Sequence, residues 1–323
     1  METRTIPGTD LALSTIGFGA WAIGGLWWGD DVVDATSIEA VHAALDAGIN
    51  WFDTAPLYGH GHADEVLVEA LGERRHEVII ATKVGVRWDG EGAHAQSDLS
   101  PAYLREDTEA SLRRLGLEQI PLLQVHWPCE RGTPLEESLD ALVALQRDGL
   151  IAHFGLCNYP PDQLALAARH APVATLQTPF SMLRREFEHG LQEVCLGAGG
   201  GPAMGVLAYE PLCRGLLTGK FAGDAPPTFP DSDLRARDDR FKGRAFQRAS
   251  RLVEALSRVA THFETSPGAL ALAWLLRRPG VSSVIAGAKR AEQVRENAAA
   301  AALVDRDDLP WEIIDKMVDT TRL

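Results

Sequence analysis

Short apolar runs alternate with amphipathic stretches along the whole chain. The runs at 16–19, 50–53, 78–83, 122–126, 152–156, 175–177, 205–209 and 283–285 are rich in Val, Ile and Leu and bounded by Gly, Pro or polar residues. Parallel strands buried on both faces have this pattern. Between them, 35–47 sets Ile38, Val41, Ala44 and Leu45 at helical spacing and stops at Gly48. The stretch 104–115 repeats the pattern and ends at Gly116. At 134–147, Thr133 as N-cap, Pro134 in the first turn and Glu136 and Glu137 nearby predict a helix start. Further helices are predicted at 161–169, 185–196, 266–276 and 291–300. Strands each followed by a helix predict an α/β fold, a closed (β/α)8 TIM barrel, with an open doubly wound sheet as the rival. The rival needs G-x-G-x-x-G opening a helix; Gly17-Phe18-Gly19 begins that motif, but no helix starts there.

Three parts fall outside the repeat. Residues 5–14 hold Pro7-Gly8-Thr9-Asp10 between apolar runs, which predicts a small β-hairpin at the barrel floor. Residues 221–246 are rich in Pro, Asp and Arg with little periodicity, which predicts a long functional loop. The tail 307–323 predicts an extra C-terminal helix on the outside.

The 323 residues are expected to form one barrel domain, since α/β barrels commonly reach this length. A net charge of −14 argues against nucleic acid and anionic membrane surfaces as partners. No run approaches the roughly 18 apolar residues of a membrane span, and METRTIPGTD has no apolar core to serve as a signal peptide. Cys129, Cys157, Cys195 and Cys213 are spread apart without a C-x-x-C, which suits reduced thiols in a cytoplasmic protein and no structural zinc. His60 and His62 have no third metal ligand at useful spacing, so no metal is expected.

Ionisable residues stand where strands finish: Asp53 after Asn50-Trp51-Phe52, Lys83 after Ala81-Thr82, and His126 after Gln124-Val125. In a barrel such strand ends converge on one face. Tyr58 follows Asp53 closely enough for its loop to bring a hydroxyl there. Carbonyl reduction needs a proton donor beside a hydride donor. A tyrosine can serve if a nearby ammonium, here Lys83, pulls its pKa down from about 10. Asp53 would hold Lys83 charged, and the His126 edge would orient the carbonyl oxygen. Taken singly, each has a plainer role: Asp53 as a turn cap, Lys83 snorkelling from a strand, His126 as a strand-end histidine, Tyr58 as a loop aromatic.

The motifs together resemble the aldo-keto reductase superfamily, especially its bacterial general-stress and sugar or aldehyde reductases. Asn50-Trp51-Phe52-Asp53-Thr54-Ala55-Pro56-Leu57-Tyr58-Gly59 matches the segment around that family's catalytic Asp and Tyr. Ala81-Thr82-Lys83 matches its lysine strand, and Leu123-Gln124-Val125-His126-Trp127-Pro128 its histidine strand. The resemblance runs from Ile6 to about Leu303. It implies a nicotinamide cofactor lying extended across the barrel top. Gly19, Ala20 and Trp21 would flank it, with Asp53 beside its reactive end. Asn158 and Gln177 would hold the carboxamide, and Tyr209, within Tyr209-Glu210-Pro211-Leu212, would stack on the ring. Leu212, Arg214 and Gly215 would meet the pyrophosphate, with Lys220 nearby. Gly287, Ala288, Lys289, Gln293 and Asn297 would hold the adenosine end.

A helix N-terminus after 286–289, with Lys289 and Arg290, suits the extra phosphate of NADPH, with NAD(H) possible. Cys157 and Phe180 depart from the Ser and Tyr frequent in the family. For a small-molecule carbonyl substrate, Trp28, Trp88 and Trp127, together with Trp27, would form an apolar wall beside Tyr58 and His126. Residues 221–246 would form a lid. Three alternatives remain: an NAD-dependent sugar or alcohol dehydrogenase, a cofactor-binding regulatory subunit with little turnover, and a metal-dependent barrel lyase or hydrolase. Monomer and homo-oligomer are both left open.

Overall fold

The computed structural model describes the chain except for residues 30–31, 89–94, 199, 222, 224 and 322–323. Twelve strands are found among the described residues: β1 (Thr3–Thr5), β2 (Ala12–Ser14), β3 (Ile16–Gly19), β4 (Trp51–Asp53), β5 (Ile79–Val84), β6 (Val86–Trp88), β7 (Ala95–Ser97), β8 (Ile120–Val125), β9 (Ile151–Cys157), β10 (Thr175–Pro179), β11 (Gly205–Tyr209) and β12 (Val281–Gly287). Eight of them close a barrel in the order β10-β11-β12-β3-β4-β5-β8-β9, every pair parallel. The eight predicted strand positions all fall in this barrel, which is a (β/α)8 TIM barrel. Two strands, 16–19 and 205–209, match as predicted, and the ends of the others shift by at most two residues, as boundaries set by tertiary pairing do.

The barrel interior and the helix layer have separate cores. Inside the staves, Trp51, Ala81, Leu122, Leu207 and Ile285 pack against Ile6, Leu11 and Leu13 of the hairpin β1–β2. The hairpin therefore plugs the floor. Trp51 is fully buried there, and its indole N–H reaches the Ser14 carbonyl and Ser283 Oγ at 3.0 Å each. A Cβ at position 17 would lie 2.2 Å from that indole, which is why a glycine faces it.

The outer helices bury apolar stripes against the staves. Asp34–Asp46 turns Ala40, Val41, Ala43 and Ala44 inward. Pro267–Leu276 is buried on nearly every side, with Ser266 capping its start by accepting from the Ala269 amide at 3.0 Å. Trp311–Thr320 lies on the outside, burying Trp311, Ile314 and Val318; the last two residues of the predicted tail are outside the described residues.

Several expectations are corrected. Thr133 does not cap the fourth helix; Leu135–Arg147 begins after Pro134, with no side-chain cap. The helix expected over 185–196 is broken into Glu186–Glu188 and Leu191–Cys195, because the chain turns at Gly190 with φ 90°. The loop expected over 221–246 ends early: Gly243–His262 is a 20-residue helix burying Phe246, Ala249, Leu252, Val253, Leu256 and Ala260. Two 3-10 turns, Leu234–Arg237 and Asp239–Phe241, precede it, and positions 222 and 224 are outside the described residues. The helix His62–Leu71 and the hairpin β6–β7 were not foreseen.

Trp51→Ala should lower unfolding free energy by about 3–5 kcal/mol, measured by equilibrium urea denaturation; a loss under about 1 kcal/mol would show that the barrel does not rest on this plug.

Candidate active site

Strand register brings the ionisable residues together. Asp53 ends β4 between Gly19 of β3 and Ala81 of β5, while Lys83 pairs with Gln124 of β8. Lys83 Nζ donates to Asp53 Oδ1 at 2.6 Å and to the Thr54 carbonyl at 3.0 Å. Both side chains of this pair are buried. From the opposite wall, Gln177 Nε2 donates to Asp53 Oδ2 at 2.7 Å.

Tyr58 is delivered by a tight turn, Tyr58–Gly61. Gly59 sits at φ 60°, and a Cβ there would lie 2.2 Å from the Gly24 carbonyl oxygen. Only glycine allows the two backbones to approach so closely at that φ. The turn sets the Tyr58 ring 4.8 Å from Lys83 Nζ and 6.0 Å from the His126 ring, edge-on. Trp21 stacks on Tyr58 at 6.1 Å.

The electrostatics follow from burial. Removing the phenol from water pushes the Tyr58 pKa up to about 12, although the Lys83 ammonium pulls it down. The expectation that Lys83 brings it below the ordinary value is therefore corrected: desolvation wins over the ammonium. Burial works against the Lys83 ammonium, but Asp53, Tyr58 and Cys157 together hold its pKa above the ordinary lysine value. Burial first, then Lys83, drives His126 well below the ordinary histidine value, so its imidazole is neutral.

Above these groups opens a cavity of about 700 Å³. Tyr58, Asp53 and His126 line it, with Trp27, Trp28 and Trp127. Along it lie Gly19, Trp21, Asn158, Gln177, Tyr209, Glu210, Pro211, Leu212, Arg214, Gly215, Lys220, Gly287, Ala288, Lys289, Gln293 and Asn297. Among the described residues, four expected positions are not in its wall, Arg290 being one, although its neighbour Lys289 is there. Ala20 is fully buried, and Lys83 lies under the Tyr58 ring. Trp88 instead stacks on His60 at 5.7 Å, while its strand partner Ala95 lines the cavity. Arg235, expected over the cofactor as part of the lid, lines it, and Thr218, Arg184 and Glu296 line it without having been expected there. Glu296 had a usable signal, standing one turn beyond Gln293 on the same helix.

The cavity rim is built on unusual backbone. Trp27, Asn158, Glu210 and Arg214, all non-glycine, have φ of 68°, 64°, 50° and 56°. Asn158 is held by donating its amide to the His126 carbonyl at 3.0 Å and accepting from the Tyr209 hydroxyl at 2.8 Å. Arg214 pairs with Glu210 at 2.8 Å and Asp238 at 3.2 Å, and Arg240 bridges the same two carboxylates at 3.0 and 2.6 Å. These pairs tie the segment preceding Gly243–His262 to the cavity. At the far end, Leu234 N–H bonds the Trp27 carbonyl at 2.9 Å and Trp28 bridges Asp233. His62 bonds Asp34 at 2.9 Å, and no set of three His, Cys, Asp or Glu suited to a metal occurs among the described residues.

Residues 15–319 match the model of the Aldo/keto reductase family. The chain belongs to that family. Aldo-keto reductase YhdN of Bacillus subtilis is 36% identical over 297 residues, 91% of this chain and 87% of its own length. An NADH-specific methylglyoxal reductase of Escherichia coli is 32% identical over 90% of this chain and 91% of its own. The structure of a glycerol dehydrogenase from Gluconobacter oxydans matches with a TM-score of 0.85 at 37% identity, covering 99% of this chain and 94% of that one. This aldo-keto reductase is thus an oxidoreductase acting on carbonyl groups with a nicotinamide cofactor. No helix among the described residues is long and apolar enough to cross a membrane.

Gly59→Ala should cut turnover of an aldehyde at least about tenfold by displacing Tyr58, with a melting temperature only a few degrees lower; unchanged steady-state kinetics would show that the tight Gly24 contact does not set the phenol's position.

Proposed function

We propose that this enzyme reduces aldehyde or ketone groups of small molecules or sugars to alcohols with NADPH, Tyr58 giving the proton. The observation that carries the reading is one close cluster at the cavity floor: the Lys83 ammonium 2.6 Å from Asp53 and 4.8 Å from the Tyr58 ring, which lies 6.0 Å from the His126 ring. Four free cysteines, none in a disulfide, agree with a cytoplasmic setting.

The cavity's donor set fits the cofactor. The Asn158 and Gln177 amides meet a carboxamide, and the Tyr209 ring offers a face to the nicotinamide. Gly215, at φ 89°, and Gly287 let backbone approach a pyrophosphate. Lys220, Arg235 and Lys289 bring positive charge to the phosphate-binding stretch, and Ala291–Ala299 opens with its N-terminal amides beside them. When bound, the nicotinamide supplies the hydride.

The protein's own groups handle the proton and the oxygen. With its pKa at about 12, Tyr58 carries its proton at neutral pH and donates it to the carbonyl oxygen as negative charge develops there. Lys83, kept charged by Asp53, stabilises the phenolate left behind. Neutral His126 offers an N–H to the same oxygen and fixes which lone pair faces Tyr58. Trp27, Trp28 and Trp127 exclude water and seat an apolar body or a sugar face.

NADH is the second reading for the cofactor. Glu296 puts a carboxylate at the end that holds Lys289, which works against an added phosphate there.

Tyr58→Phe should leave the NADPH dissociation constant within about twofold and lower kcat by roughly a hundredfold or more, in a stopped assay across aldehydes, ketones and sugars. Parental turnover would remove Tyr58 as donor; absence of turnover in the unmutated protein would favour a regulatory subunit. By fluorescence quenching NADPH should bind roughly tenfold more tightly than NADH, and Lys289→Ala should bring the two within about twofold; equal affinity in the unmutated protein would turn the assignment to NAD(H).

A further inference from the structure

Beneath the catalytic cluster lies a buried carboxylate that the proposed chemistry does not use. Asp64 has no solvent exposure, yet it stands one hydrogen bond away from Thr54, the residue whose carbonyl receives Lys83. The Thr54 hydroxyl donates to Asp64 Oδ1. Asp64 Oδ2 accepts from Arg114 Nε at 2.6 Å, and Arg114 also donates to Ser111 Oγ at 3.1 Å. Arg114 belongs to the last turn of the helix Pro101–Leu115. Its stem lies against Gly61, where a Cβ would come 3.2 Å from the Arg114 Cδ. The pair therefore touches both sides of the site, the lysine's acceptor and the turn that carries Tyr58.

We propose that Asp64, held by Arg114, is a positioning residue that fixes the Thr54 carbonyl and through it the direction in which Lys83 faces Tyr58. The inference rests on the reading of Tyr58 as proton donor. An ammonium has three N–H bonds and turns freely about its stem unless its acceptors are fixed. In Lys83 two go to Asp53 Oδ1 and the Thr54 carbonyl, which sets the third. Asp53 is itself fixed by Gln177. Thr54 is fixed twice, by its N–H on the Ala81 carbonyl at 2.9 Å and by its hydroxyl on Asp64. An ion pair with its carboxylate fully buried and its guanidinium partly so is a weak device for stability, because desolvation offsets most of its attraction. Its value here is geometric: it gives the Thr54 hydroxyl a charged acceptor that cannot move.

The test is Thr54→Val, with Thr54→Ser as the conservative variant, in the full chain. Valine keeps the shape and the backbone carbonyl and leaves Asp64 paired with Arg114. A Lys83 that turns away stabilises the phenolate less, so the phenol becomes a weaker acid and its ionisation moves upward in pH. Thr54→Val should lower kcat for aldehyde reduction about tenfold with KM within about twofold. It should also move the basic limb of the kcat profile upward by roughly half a pH unit, and Thr54→Ser should restore both. The same upward shift should appear without cofactor or substrate in the tyrosinate absorbance of the protein, taken as the difference with and without Tyr58→Phe. Parental kinetics and an unmoved limb in Thr54→Val overturn the proposal, as does a kcat loss with an unmoved limb, which assigns the hydroxyl to folding alone. If Tyr58→Phe keeps parental turnover, it is the proton-donor reading that fails; if that variant is inactive while Thr54→Val is unaffected, only the present inference fails.

Discussion

The Lys83–Asp53 ion pair is the constraint around which the upper barrel is arranged. Two charges taken from water cost several kcal/mol each in real proteins, and only close geometry with further hydrogen bonds offsets that. The barrel supplies the geometry through register: β4 and β5 bring the carboxylate and ammonium to 2.6 Å, and Gln177 from β10 satisfies the second carboxylate oxygen. Truncating either partner would strand the other charge in a dry wall, a loss on the order of 3–5 kcal/mol. The strand order, the plugged floor and the helix layer all serve to keep this pair buried and short.

Burial has opposite effects on the site's two other titratable groups, and both suit carbonyl reduction. It raises the phenol of Tyr58, which therefore keeps its proton at neutral pH, as the proposed donor role requires. It depresses His126, so that ring adds no positive charge to compete with Lys83. Lys83 moderates the first shift and strengthens the second, so a single ammonium acts on both the phenol and the imidazole.

The barrel was legible because its strands are apolar runs buried on two faces, a signal set by composition and length. Asp53, Lys83 and His126 were legible for a related reason, since polar residues closing such runs must meet at one end. What sequence concealed was set by long-range contacts. The helix Gly243–His262 carries arginines between its apolar positions, and the preceding Pro- and Asp-rich stretch masks its start. The break at Gly190 and the missing cap at Thr133 depend on how neighbouring elements pack. Whether desolvation or Lys83 would govern Tyr58 could not be read from spacing, because both act through distance. Trp88 was placed on the substrate wall as a residue of a loop after a strand; it lies instead in a short strand paired with Ala95 and stacks on His60.

The rim residues Trp27, Glu210 and Arg214 hold side-chain-bearing backbone in a left-handed conformation that such residues avoid, at a cost of order 1–3 kcal/mol each, whereas Asn158 shares a conformation that asparagine tolerates. At these positions the strain sits in the loops around the opening rather than in the staves beneath. A library selected only for heat resistance would therefore gravitate to Trp27, Glu210 and Arg214, trading them for glycine or asparagine, and would blunt the mouth before it touched the cylinder.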